Sequence, residues 1–142
     1  MILKILRSIW FLSMLAVGAN LLYVYAGLSE VVVIRELEDS SVSVNKEYLF
    51  YGWLVFVGVL NMMVYVLGKS IAPDETFRAW FVGLITTLNI FFIIAFSFIG
   101  LYNSSENFDF SRVGIVLYIG IGLVFLWLLS WPVIFIIRKI SP

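Results

Sequence analysis

The sequence predicts an all-α membrane protein: an antiparallel four-helix transmembrane bundle, N-in and C-in, with a short β-hairpin in its first outer loop. Three observations predict it. Of the 142 residues, 63% are hydrophobic and 13% charged, whereas a soluble domain runs about 45–50% apolar and about 25% charged. Four long stretches carry no charge at all: 9–26, 49–67, 79–101 and 113–137. The basic residues are distributed unequally between the two sets of segments that these stretches separate. Such a composition excludes a water-soluble globule, a disordered chain and a basic nucleic-acid binder. The chain has no Cys and no His. Disulfides, thiol chemistry and His-held haem or zinc are therefore excluded as well.

A spanning helix needs roughly 20 apolar residues at 1.5 Å rise each, so all four stretches qualify. Lipid offers the backbone no hydrogen-bond partner, which leaves helices or a closed barrel. Barrel strands would alternate polar and apolar over about ten residues, and these runs do not alternate. The first span begins like a signal peptide, with Lys4 and Arg7 ahead of an apolar core and Val24-Tyr25-Ala26 resembling a cleavage site. Its apolar length exceeds the roughly 7–15 residues of a signal core, so it is expected to be retained as a span.

Orientation follows from the basic residues of the short segments. Lys4, Arg7, Lys69, Arg78, Arg138 and Lys139 fall on one side, and Arg35, Lys46 and Arg112 on the other. This places both termini in the cytoplasm. Seven acids (Glu30, Glu36, Glu38, Asp39, Glu47, Glu106 and Asp109) fall outside. Trp10, Tyr23, Tyr25, Tyr48, Tyr51, Trp53, Trp80 and Tyr102 cluster near the expected water interfaces, where amphipathic rings are favoured.

One domain is expected, since no linker, low-complexity tract or repeat divides the chain. Inside, Pro73 is placed to stop the second helix and Asp74 to cap the third. Outside, Asp109 or Ser111 is placed to cap the fourth, and Asn103-Ser104-Ser105 matches a glycosylation sequon. The first outer loop, 28–48, carries the β-branched run Val31–Ile34, a turn at Glu38-Asp39-Ser40-Ser41 and the alternating Val42-Ser43-Val44. It reads as a hairpin that must lie against the helix ends or another chain, because an isolated one is marginally stable. Either it is a solvated connector, or Val31, Val33, Arg35, Glu38 and Asp39 form a partner-docking surface.

Within the spans, small and polar residues fall on helical stripes: Ser13, Ala16, Asn20 and Gly27; Gly58, Asn61, Tyr65 and Gly68; Gly83, Thr86, Ser97 and Gly100, with Asn89 at the edge; and Gly120, Trp127 and Trp131 beside Ser130. These are expected to face the bundle interior. Asn20, Asn61 and Asn89 lie near mid-membrane on the first three helices, and Asn89 is placed to bridge the other two. They form either an interhelical hydrogen-bond cluster or a polar site for a small solute or lipid headgroup.

The absences bear on function. No span holds an ionisable acid or base, which weakens ion-coupled transport. With no His and with the carboxylates in loops, no catalytic constellation is found, so neither an enzyme nor a cofactor or metal site is expected. Ser130-Trp131-Pro132 reads as a proline kink whose freed carbonyl a neighbour satisfies.

Tyr25-Ala26-Gly27-Leu28-Ser29-Glu30-Val31, followed by an acidic turn and Asn45-Lys46-Glu47-Tyr48-Leu49-Phe50-Tyr51, resembles the segment joining the first two helices in a bacterial family. That family is the domain of unknown function associated with SdpI-type immunity proteins. Leu28 and Lys46 match its pattern; Ser29 stands where the family has Pro, and its turn Gly and its His are absent. The resemblance implies a bacterial inner membrane and no mechanism, so no functional residue is carried over. The expected function is a non-catalytic accessory or scaffolding subunit of a larger membrane complex, with the lipid bilayer and other membrane-protein subunits, in a hetero- or homo-oligomer, as partners and no nucleic acid. The alternative is a small channel or solute/lipid carrier acting as a homo-oligomer.

Overall fold

The computed structural model describes residues 1–70, 74–104 and 110–141, with side chains described for all of these except 35, 36, 68–70 and 110–113. In chain order the elements are α1 (Ile2–Gly27), β1 (Val31–Leu37), β2 (Ser40–Asn45), α2 (Lys46–Ser70), α3 (Glu75–Tyr102) and α4 (Phe110–Ile140). All four helices are long and apolar enough to cross a membrane. Each outruns the apolar stretch that announced it. Hydropathy stops at the first charge, whereas the backbone ladder continues and long basic side chains carry their charge outward. Asp74 caps α3 as expected, its carboxylate accepting from the Thr76 N–H at 3.0 Å. Pro73 and Asp109, and the side chain of Ser111, lie outside the described residues.

The four helices do not form a square. α3 is the central rod, and α1, α2 and α4 each pack on it, α1 most extensively. The contacts fix the directions. Trp10 and Ser13 meet the level of Asn89, while Val24 meets Gly100, so α1 runs parallel to α3. Trp53 stacks near Phe96 whereas Asn61 bonds Asn89, so α2 is antiparallel. Trp127 lies beside Gly83 and Gly120 beside Phe91, so α4 is antiparallel too. In consequence 44% of the most apolar stretch of α3 is buried but only 6% of that of α4.

Small residues mark real contacts only where a bulky neighbour fills the space. A methyl at Gly83 would collide with a ring carbon of Trp127, and one at Gly100 would stand 2.9 Å from Val24. The stripes expected on the third and fourth spans therefore do face their neighbours. On α1 and α2 they are rotated. Ala16, Gly27, Gly58 and Tyr65 are exposed, and the inward faces are Ser13-Val17-Leu21-Val24 and Val57-Asn61-Val64. Gly27 and Gly58 have nothing within 4 Å of where a methyl would stand, so small size alone does not identify an interface.

The hairpin is present, with longer strands and a tighter turn than expected. Leu37 pairs with Ser40 across Glu38-Asp39, and Ile34 is a bulge between the Val33–Ser43 and Arg35–Val42 pairs. It lies on the helix ends. Val32 is fully buried with Leu28, Val24 and Phe96 in one core cluster. The Lys46 N–H donates to the Glu30 carbonyl at 2.9 Å, closing the ladder where α2 begins.

Candidate functional site

The densest polar group joins α1, α2 and α3 within their apolar length. Asn61 and Asn89 exchange reciprocal amide hydrogen bonds of 2.9 and 2.8 Å. The Trp10 indole N–H donates to Asn61 Oδ1 at 2.9 Å, and Asn61 Nδ2 also donates to the Val57 carbonyl at 2.8 Å. Asn89 Nδ2 donates to Ser13 Oγ at 3.0 Å, and Ser13 in turn donates to the Trp10 carbonyl. Asn89 is wholly buried and Asn61 is 5% exposed.

A carboxamide offers two N–H donors and two acceptor lone pairs. All four positions of Asn61 are in use, and three of the four on Asn89. A ligand can bond Asn61 only by displacing one of these four bonds, three of which run between helices. The arrangement chemically favours holding the three helices in register over receiving a solute.

Asn20 is not part of this group. It accepts from Ser97 Oγ at 2.9 Å and donates to the Ile93 carbonyl at 3.3 Å, both on α3. The expected bridge from Asn89 to Asn20 is replaced by Ser13, two helical turns nearer the N-terminus of α1. Sequence depth placed Asn20 and Asn89 near one level, but α1 is rotated and shifted along α3 so that Ser13 meets Asn89. Asn20 keeps one N–H and one lone pair without a partner among the described residues. It lines an open groove of about 560 Å³ with Tyr23, Gly27, Ser97, Gly100 and Ser104.

A second polar group joins α3 to α4. The Trp80 indole donates to the Trp127 carbonyl at 3.1 Å and to Ser130 Oγ at 3.0 Å, and the Trp127 indole donates back to the Trp80 carbonyl at 3.0 Å. α4 runs unbroken through Pro132; the carbonyl that the proline frees is that of Leu128, four residues back, whereas the one that the Trp80 indole takes up is that of Trp127. Trp10 and Trp80, expected among interface anchors, thus use their indole N–H groups between helices. The Trp53 Nε1 is buried without a partner among the described residues, with its ring against Phe92 and Phe96.

At the hairpin end, Asn103 serves as a one-residue third strand. Its Oδ1 accepts from the Val33 N–H at 2.7 Å, and its Nδ2 donates to the Val33 carbonyl and the Ile99 carbonyl, each at 2.9 Å. The nitrogen that a glycan would join thus has both hydrogens engaged; Ser105 lies outside the described residues. Of the proposed docking residues, Val33 is tied down by Asn103 and half-buried. Val31, Glu38 and Asp39 are exposed, the acids at the tip. Arg35 pairs through its backbone with Val42, and its side chain lies outside the described residues.

At the opposite end, Arg138 clamps α4 to the start of α3, with 2.8 Å bonds to Asp74 and to Thr76 Oγ1. The Arg138 guanidinium, helped by the Thr76 N–H, holds the Asp74 carboxyl below its ordinary value of 3.8. Among the described residues no three acidic side chains gather as metal ligands would. Sequence reasoning missed Ser13 as a bridging residue and Asn103 as a strand surrogate. A short polar residue at Ser13, on the face of Val17 and Leu21, was the available signal for the first.

Comparison with protein-family models, with curated proteins and with solved structures finds no match to this chain.

Proposed function

We propose that this chain is a non-catalytic accessory or scaffolding subunit of a larger inner-membrane complex, multi-pass, with both termini cytoplasmic and the hairpin outside. The observation that carries this reading is the bareness of α4: it has 31 residues, its substantial contacts are all with α3, and 6% of its most apolar stretch is buried. A helix anchored on one side by two tryptophans and an ion pair, and open on the other, suits a chain that continues its packing onto a neighbour. The full hydrogen-bonding of Asn61 argues in the same direction, since a solute would have to displace one of its bonds.

The test is crosslinking with mass spectrometry from native membranes, followed by purification in mild detergent. Stoichiometric co-purification of another chain, crosslinked through α4 or the hairpin, is expected. A lone monomer with no crosslinked neighbour would overturn the reading. The carrier alternative draws its support from the Asn20–Ser97 groove. Asn20→Leu that abolished flux of a solute into liposomes while leaving thermal stability unchanged would favour it over the subunit.

A further inference from the structure

The groove that Asn20 lines is part of a longer vacancy on the central helix. At 3.6 residues per turn, the α3 positions that α1 touches (Asn89, Ile93, Gly100) and those that α4 touches (Trp80, Gly83, Phe91) point about 150° apart around the α3 axis. Equal cylinders pack about 60° apart around a central one, so this interval leaves room for one more helix. Ile90 points into the middle of it and is the one large apolar residue of α3 left exposed, at 50%. Towards the terminus-bearing end the same cleft continues past Leu6, Ala79, Trp80, Leu126 and Ser130 as a groove of about 510 Å³.

Among the described residues, Asn20 and Tyr118 face this apolar environment with hydrogen-bonding capacity unused, and they lie at one height. Asn20 keeps a free N–H and a free lone pair beside the cleft. The Tyr118 side chain is 76% exposed, and its hydroxyl has no partner among the described residues. Tyr118 stands nine residues before Trp127, two and a half turns, so it points away from α3 on the bare face of α4. Gly120 is level with Phe91. Because α4 is antiparallel, Tyr118 is level with Ile93, the residue whose carbonyl Asn20 uses. Within one chain the two face different directions. Between two copies related by a two-fold axis along the membrane normal, heights are unchanged and the two can meet.

We propose that a second copy of this chain lays its α4 in the cleft between α1 and α4, bringing its Tyr118 hydroxyl onto Asn20, with the reciprocal contact made by symmetry. Such a contact satisfies on each side a polar group that would otherwise face hydrocarbon, a costly arrangement. It rests on the reading that the chain is a subunit of a membrane assembly, and it names one neighbour as the chain itself.

The chain has no Cys, so engineered cysteines report without background. Tyr23→Cys, on the groove a turn beyond Asn20, and Ile115→Cys, a turn beyond Tyr118 on α4, are placed in two differently tagged copies expressed together. An oxidised heterodimer between the tags is expected, and none from Tyr23→Cys with Val55→Cys, which lies on the exposed face of α2. In liposomes, energy transfer between labelled copies as protein is diluted with lipid reads the association constant. Tyr118→Phe, which leaves the fold of a lipid-facing position undisturbed, is expected to lower it about three- to tenfold. Equal crosslinking at Val55→Cys, no crosslink at Ile115→Cys, or an unchanged constant for Tyr118→Phe overturns the proposal. A different protein captured at Tyr23→Cys in native membranes also overturns it while leaving the subunit reading standing. A chain that crosslinks to nothing overturns both.

Discussion

Replacing Asn61 by Leu removes four hydrogen bonds: those from Trp10 and Asn89 and those to Val57 and Asn89. Three of these join helices, where such bonds average about 0.6 kcal/mol each, so Asn61→Leu is expected to cost about 2 kcal/mol. Asn89→Leu removes three, two of them shared with Asn61, and is expected to cost about 2 kcal/mol. The two shared bonds vanish once, not twice, in the double variant. Its cost should fall short of the sum of the single costs by about 1 kcal/mol. Asn20→Leu with Asn89→Leu is the control, since Asn20 bonds Ile93 and Ser97, and that pair should be additive. Unfolding in mixed micelles by SDS, followed by tryptophan fluorescence, supplies the free energies, with Trp10 reporting from within the network. A coupling between Asn61 and Asn89 indistinguishable from zero, or an equal coupling between Asn20 and Asn89, would refute the assignment of this group as the three-helix clamp.

The remaining predictions concern contacts outside that group. Gly83→Ala should destabilise by about 1–3 kcal/mol through overpacking against Trp127, whereas Gly58→Ala, with nothing within 4 Å, should leave the melting temperature unchanged. Asn103→Ala leaves the Val33 N–H unpaired and should raise amide exchange across the hairpin by about tenfold or more; unchanged exchange would show the hairpin held by Val32 alone. The Asp74 carboxyl titrates lower in the folded protein than its ordinary 3.8. Its contribution to stability is therefore present above about pH 4 and lost as pH falls through the depressed value. Asp74→Asn should melt earlier than the parent at neutral pH, and the two melting curves should converge in acid.

Residue by residue, the chain discloses some of its contacts and conceals others. Asp74 was legible as a cap because a short acceptor just before an apolar run has one local use. Gly83, Gly120, Trp127 and Ser130 were legible as inward-facing because small and polar residues there fall on helical stripes, although which stripe meets which was not. Asn61 and Asn89 were expected to meet, and they do. Ser13 falls on a helical stripe, but its meeting with Asn89 does not follow from that, since the shift of α1 along α3 depends on how Val17, Leu21 and Val24 pack with Phe92 and Phe96. The Asn103 bonds that hold the strand beside the Ile34 bulge arise between segments about seventy residues apart, beyond the reach of local pattern.

The number of long apolar helices, their approximate extent and the hairpin between the first two follow from the sequence by itself. Transfer from water to an apolar medium sums over neighbouring residues and needs no knowledge of what lies across the fold. Which face of each helix turns inward, and that α3 is central while α4 is left almost bare, only the tertiary structure decided. Lipid tails and leucines are equally apolar, so no partition energy separates an inward face from an outward one. The choice falls to shape, where Trp127 finds room over Gly83 and Val24 over Gly100, and to the few amides that must find one another.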